Sequence, residues 1–303
     1  MRVLVTGAGG QVGGEVARLL EGRVEVVAHD RASLDLEKPD DIRWCVREAR
    51  PDVIVNAGAY TAVDRAESEV DAARAVNARA PEVLAEEARR TGALLVHYST
   101  DYVFDGTKAG PYVESDETVP VNAYGATKLE GERAVSASGC AHVILRTSWV
   151  YGPRGRNFMR TMLEAAKTRP ELRVVDDQRG APTTSLALAR ATLALIGADA
   201  GTAAITDGGI EAAASRSGLY HATAGGETTW FAFAKAIFEE WSARAGPAFK
   251  PPVVIPIPTR DYPTPARRPA NSVLSNERLA RELGVRLGPW REGLAEAISL
   301  FDA

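Results

Sequence analysis

The chain has 303 residues, of which 45% are hydrophobic and 25% charged, and carries a formal net charge of −4. That balance is ordinary for a globular protein and excludes nucleic acid as the main partner, which needs a basic surface. No apolar run approaches bilayer length, Cys45 and Cys140 have neither metal nor redox spacing, and the scattered His29, His97, His142 and His221 argue against a histidine metal centre.

Met1–Thr6 runs straight into a glycine-rich turn. It reads as a buried strand rather than a secretory signal, so a reduced cytoplasmic setting is expected. Through residue 150, short β-branched runs alternate with helical patterns. Strands are expected at Val3–Val5, Val24–Ala28, Val53–Asn56, Leu94–Tyr98 and Val143–Arg146, and helices at Val12–Leu20, Pro39–Arg50, Ala72–Thr91 and Ala126–Ser138. Each strand is short, apolar and bounded by turn or charged residues, as buried parallel strands are. The rhythm predicts an α/β fold, a doubly wound parallel sheet of Rossmann type. Beyond residue 150 the pattern is less regular. Helices are expected at Asn157–Thr168, Leu186–Ile196, Thr229–Arg244, Asn276–Leu283 and Trp290–Phe301. Gln178–Thr184 reads as a polar loop, 198–217 as a surface loop of small residues, and the proline-rich Pro247–Pro269 as mostly extended loop.

Ligands of such sheets sit at the carboxyl ends of the strands. The unusual residues lie there: Gly7–Gly13, Asp30, Ala57–Thr61, Ser99–Asp101 and Thr147–Trp149. Gly7, Gly10 and Gly13 follow the first strand and open a helix. Glycine permits the sharp turn and the approach of backbone to a pyrophosphate, and the helix N-terminus offers free N–H groups to that anion. A dinucleotide is the ligand this predicts. Asp30 ends the second strand near the spacing at which an acid meets the adenosine ribose, which favours NAD. Arg31 beside it suits a 2′-phosphate, which favours NADP. Asp35-Leu36 either frames the adenine or forms a solvated turn. Tyr124 and Lys128 lie about one helical turn apart, on one face. An ammonium beside a phenol favours the phenolate and is expected to draw its pKa down from about 10. Such a tyrosine exchanges a proton near neutral pH and forms the proton half of a hydride-transfer site. One hydroxyl of Ser99-Thr100 should face that tyrosine and the other away, because strand side chains alternate. On this reading residues 1–150, completed by part of 180–225, bind the dinucleotide, and 151–180 with 226–303 bind the substrate.

Gly10-Gln11-Val12-Gly13, Asn56–Asp64, Tyr98–Phe104, Arg146–Tyr151 and Tyr262–Pro269 resemble the dTDP-4-dehydrorhamnose reductase family of the extended short-chain dehydrogenase/reductase superfamily. Leu219-Tyr220-His221 and Thr228-Thr229-Trp230 extend the likeness. The resemblance implies reduction of the C4 ketone of dTDP-4-dehydro-L-rhamnose to dTDP-L-rhamnose, with NADP(H) or, in some members, NAD(H). It implies that Gly10, Gln11 and Val12 hold the pyrophosphate. Asp30, Asp35 and Leu36 would meet the adenosine, and Ala59, Tyr60, Thr61 and Tyr98 would line the nicotinamide side. Tyr124 would donate the proton, and Lys128 would bind the nicotinamide ribose and tune Tyr124. Thr100 would tune Tyr124 and contact the sugar with Asp101, and Trp149 would pack on the substrate. Arg268, with Arg267 and Asn271 in the same loop, suits the nucleotide-sugar pyrophosphate, because a guanidinium fork donates two bonds at once; a solvated basic turn is the alternative. Some relatives dimerise around magnesium held by glutamates. Glu15 and Glu292 fall at matching positions here, but Leu186 stands where such relatives have an acid, and a leucine cannot ligate the ion. A monomer or weak homodimer without magnesium is therefore expected. The same motifs also fit a reductase or epimerase of another 4-keto-6-deoxy sugar nucleotide, or a non-catalytic regulatory subunit of this fold.

Overall fold

The computed structural model describes residues 1–198 and 208–301. Strands β1 (Arg2–Thr6), β2 (Glu25–His29), β3 (Val53–Asn56), β4 (Leu94–Thr100) and β5 (His142–Thr147) form where expected. Helices α1 (Gln11–Leu20), α2 (Pro39–Ala49), α3 (Val63–Ala66), α4 (Val70–Arg74), α5 (Ala80–Thr91) and α6 (Ala123–Ala137) connect them. Then follow β6 (Val150–Tyr151), α7 (Phe158–Ala166), β7 (Glu171–Val175), β8 (Arg179–Gly180), β9 (Thr183–Thr184), α8 (Ser185–Leu195), α9 (Gly208–Ser215) and β10 (Gly218–His221). The chain closes with β11 (Thr228–Thr229), α10 (Trp230–Ala245), β12 (Val253–Ile257), α11 (Glu277–Leu283) and α12 (Trp290–Ser299).

The main sheet is parallel, in the order β10-β5-β4-β3-β1-β2. From β1 the chain steps outward to β2, then returns past β1 to β3 and continues the other way. That reversal opens a crevice at the carboxyl ends of β1 and β3, where such sheets take their ligands. The strands bury both faces by strict alternation. Val3, Val5, Val55, Val96 and Leu145 face one core with Val16 of α1 and Leu188 of α8. Leu4, Ile54, Leu95 and Ile144 face the other with Ile42 of α2 and Leu84 of α5. A further core joins Met159 and Leu163 of α7, Leu172 and Val174 of β7, Phe233 and Ile237 of α10, and Trp290 and Leu294 of α12.

The structure departs from the sequence pattern in five places. The expected helix Ala72–Thr91 is interrupted by a π-helical turn at Ala75–Arg79. Pro81 has no N–H to bond the Asn77 carbonyl one α-turn back, so the ladder must widen there. Within 198–217, residues 199–207 lie outside those described, but 208–215 is helix α9, and its Ala213 is buried in the first core. Small residues disguised that helix as a loop. Pro247–Pro269 contains the strand β12, which pairs in parallel with β7. Pro256 is tolerated because β12 has a partner on one side only. Gly218–His221 adds a strand beside β5, and Gln178–Thr184 carries the two-residue strands β8 and β9.

Candidate active site

The glycine turn leaves β1 at Thr6. Gly7 has φ +70, and a Cβ there would lie 2.6 Å from the Gly58 nitrogen on the loop after β3. A Cβ on Gly13 would lie 2.4 Å from the Gly7 carbonyl oxygen. Both positions therefore require glycine for close backbone approach. No side chain caps α1 at Gly10, so its first N–H groups are free for an anion. The Gln11 amide oxygen accepts from Asn157 Nδ2 at 3.0 Å, which ties the turn to the start of α7.

A cavity of about 790 Å³ runs from this turn along the carboxyl ends of the strands. Gly7, Gly10, Gln11, Val12, Asp30, Asp35, Leu36, Ala59, Tyr60, Thr61, Tyr98, Tyr124 and Lys128 all line it. Gly13 supports the turn from behind. A glycine cradle, an uncapped helix end and an elongated cleft fit a dinucleotide. At the adenosine end, Asp30 turns one carboxylate oxygen into its own loop, where it accepts from the Ala32 and Ser33 amides and the Ser33 hydroxyl. These bonds hold its carboxyl below the ordinary range. Arg31 is exposed and only 3.5 Å from Glu37. Asp35 accepts from the Glu37 amide. Tyr60 hydrogen-bonds Glu69 through its hydroxyl, and its backbone N–H and carbonyl are both held by the Asn77 side chain.

At the other end Ser99 and Thr100 point apart, as alternation requires; Ser99 borders the cavity but turns its hydroxyl away, and Thr100 lies beside Tyr124 outside the lining. Ser99 donates to Glu132 at 2.5 Å, in a buried cluster where Glu132 also pairs with Arg146. The Thr100 hydroxyl donates to Asp101 Oδ1 and accepts from the Tyr102 amide, both at 3.1 Å, and it lies close enough to Tyr124 to draw that phenol's pKa down against the other influences. A carbonyl of Tyr102 lies where a Cβ on Gly125 would come within 2.1 Å, so Gly125 lets α6 bring Tyr124 against the end of β4.

Lys128 does not act on Tyr124 as expected. Its ammonium donates to the Tyr98 carbonyl at 2.6 Å and lies 3.4 Å from His97 Nε2. Burial lowers Lys128 to about 8, against the opposing pull of Glu132. Burial likewise pushes Tyr124 up to about 12, with Asp101 adding to the rise and Thr100 opposing it. The expected downward shift of the phenol is thus reversed, because the cost of burying a phenolate outweighs a cation that points elsewhere. Asp101 itself is raised to about 6 by burial, opposed by bonds from Ser272 and Thr100, and its Oδ2 is buried without a partner.

Three other residues sit differently from the simple expectation. The Tyr98 hydroxyl turns from the cavity to bond Thr192 of α8, so only part of this ring faces the ligand space. Trp149, at φ +49, stacks on Trp230 at 3.6 Å and lies outside the dinucleotide cavity, on the side of the third core. Arg268 donates to both Asp64 oxygens at 3.0 Å and lies over the Tyr102 ring, which meets Tyr124 edge-on at 5.6 Å. Its Nη1 is buried without a partner. Of the residues weighed for magnesium, Glu15 is engaged by Arg18 and Arg154, and Leu186 is buried in α8. Among the described residues no three His, Cys, Asp or Glu side chains are grouped so as to hold a metal ion. The sequence pattern did not reveal Asn77, His97 or Glu132 as supports of the site. Each is a buried polar residue in an apolar element, and that was the only signal available.

Comparison with known proteins matches residues 1–302 to the family model described as RmlD substrate binding domain. The chain is 51% identical over 292 residues to a dTDP-4-dehydrorhamnose reductase of Burkholderia thailandensis, covering 96% of each. It is 42% identical to one of Escherichia coli K12, covering 99% of this chain and 97% of that one. Among solved structures it resembles a dTDP-4-dehydrorhamnose reductase of Clostridium acetobutylicum, with TM-score 0.88, 39% identity and 99% of each chain covered. It also resembles the enzyme of Bacillus anthracis in complex with NADP, with TM-score 0.86, 34% identity and 98% of each chain covered. With residues 1–302 matched and its glycine turn, phenol and lysine lining one cleft, the chain belongs to the dTDP-4-dehydrorhamnose reductase family.

Proposed function

We propose that the chain reduces the C4 ketone of dTDP-4-dehydro-L-rhamnose to dTDP-L-rhamnose in the cytoplasm, with NADPH or NADH as the reductant. The observation that carries this reading is the placing of Tyr124 and Lys128 on the wall of the same cleft as the glycine turn, with Thr100 beside the phenol. When bound, the nicotinamide supplies a hydride to the keto carbon. Tyr124 donates its phenolic proton to the oxygen, so that hydride and proton together convert ketone to alcohol. A phenol raised to about 12 is fully protonated at neutral pH, which suits the reducing direction. The Thr100 hydroxyl steadies that phenol, and a bond from either group strengthens as charge grows on the substrate oxygen. The free N–H groups at the start of α1 bind the pyrophosphate. Asp101, protonated below about 6, offers the sugar a donor or an acceptor according to pH. Arg268 reaches a substrate diphosphate only through Nη1, since Asp64 already holds Nη2.

Arg31 is exposed and weakly paired, which leaves it able to meet a 2′-phosphate, while Asp30 retains one carboxylate oxygen for a ribose hydroxyl. Both cofactors are therefore expected to serve. Glu15 is neutralised by two arginines, which favours assembly without a magnesium bridge. The test is cofactor oxidation on adding dTDP-4-dehydro-L-rhamnose, run once with NADPH and once with NADH. Oxidation with a different 4-keto sugar nucleotide alone would move the substrate assignment. No oxidation with any of them would reduce the chain to a binding protein.

A further inference from the structure

A buried polar chain crosses the sheet beneath the cofactor cleft. It starts on β1, where the Thr6 hydroxyl lies 2.7 Å from the Asn56 side-chain amide on β3. The other end of that amide lies 3.0 Å from His97 Nδ1 on β4. His97 Nε2 in turn lies 3.4 Å from Lys128 Nζ on α6. All four side chains are buried, and Thr6 and Lys128 border the cleft.

His97 does not become an imidazolium here. Burial holds it well below its ordinary pKa, and Lys128 and His142 on β5 push the same way. A neutral ring has one N–H and one lone pair. When the Asn56 carbonyl faces Thr6, its NH2 donates to Nδ1, the ring proton sits on Nε2, and the chain ends in a donor facing Lys128. When the amide is turned over, its carbonyl accepts from Nδ1–H, and the chain ends in a lone pair facing Lys128. The first ending matches a neutral amine and the second an ammonium. In the second state the Thr6 hydroxyl accepts from the Asn56 NH2 instead of donating to its carbonyl.

We propose that His97 is a positioning residue for Lys128, changing tautomer through the Asn56–Thr6 chain as Lys128 gains or loses its proton. The proposal rests on the placement of Lys128 in the reduction site. The other groups facing Lys128 respond less. The Tyr98 carbonyl accepts from either charge state. Glu132, on the same helix, favours the ammonium but is pinned by Ser99 and Arg146. Tyr124, one helical turn earlier, is held protonated by burial. His97 is thus the neighbour whose hydrogen-bonding sense can follow the proton. Because Lys128 is brought to about 8, both of its states occur at accessible pH.

Histidine-selective 15N spectra read the tautomer without substrate. We expect His97 as Nδ1–H at about pH 6 and as Nε2–H at about pH 10, with the change lost in Lys128→Met. One tautomer across that range, or an imidazolium signal, overturns the proposal. In kinetics, His97→Leu should lower kcat about tenfold with KM for the sugar nucleotide held. Its alkaline limb should move to lower pH, because the ammonium has lost an acceptor. His97→Gln, whose amide can present either sense, should recover most of the rate. A folded His97→Leu enzyme with the wild-type pH profile also overturns the proposal. If that variant does not fold, the spectra of wild type and Lys128→Met decide. A wild type inactive on every keto sugar would defeat the functional reading and leave the tautomer test standing.

Discussion

At the scale of single residues, the site runs on burial more than on pairing. Tyr124 is raised and Lys128 lowered by the same loss of water, and neither needs the other to explain its shift. Tyr124→Phe removes the proposed proton donor and nothing that holds the glycine turn. We expect kcat to fall by about 10²–10⁴-fold while NADPH affinity, read by fluorescence titration, stays within a few-fold. Asp101 gives a second test with a definite sign. Its folded pKa lies above the ordinary carboxylate value, so the folded state binds this proton more tightly than the unfolded state. Its stabilising share is complete at acid pH and is lost as pH rises from the ordinary value through about 6. Asp101→Asn should therefore stabilise the protein by about 1–3 kcal/mol near pH 8, and by little near pH 4, in urea unfolding at the two pH values. An equal effect at both would show that the carboxyl is not strained by burial.

At the scale of elements, the approach of helix to helix sets the site. Gly131 of α6 lies where a Cβ would come within 2.1 Å of the Asn77 carbonyl oxygen, on the π-helical turn. Helix propensity alone favours Gly→Ala by about 1 kcal/mol. Here a backbone oxygen blocks the methyl, and overpacking costs about 1–3 kcal/mol. Gly131→Ala should thus lower the urea midpoint; a rise would mean that the two helices part freely. The same contact explains what was legible in the chain. Strands β1 to β5 and helices α1, α2, α5 and α6 followed from short apolar runs and from helical spacing, whereas the four-residue α3 was too short to show. The glycine turn, Tyr124 and Lys128 were legible because backbone approach and side-chain chemistry restrict residue type. The π turn was not, since it depends on a missing proline N–H acting together with a glycine fifty residues on. The direction of the Tyr124 shift was not either, because spacing says that two side chains share a face and not where the ammonium points. Helix α9 and strand β12 were hidden by small residues and prolines, whose local preferences are overruled by packing on Ala213 and pairing with β7.

At the scale of the whole molecule, the cleft lies between the parallel sheet and the loops that follow β5, so ligand binding draws on both. Asn157 bonds Gln11, and Arg154 bonds Glu15, across that divide. A dinucleotide held by the glycine turn should stabilise the whole chain. At about a hundredfold excess over Kd the gain is about 2.7 kcal/mol, a rise of about 4 °C in Tm for a chain of this size. Similar shifts with NADPH and NADH at one equal concentration are expected if Asp30 and Arg31 both serve; a shift with one alone would identify which residue governs. The return of α8 and β10 to the first sheet carries a consequence for biosynthesis. A ribosome that has just finished β5 has made the glycine turn, the phenol and the lysine, yet Leu188 and Tyr220 of that core are still untranslated. The first sheet must wait, with β5 unpaired at its edge, until residues 148–221 have emerged, so its core closes only late in synthesis.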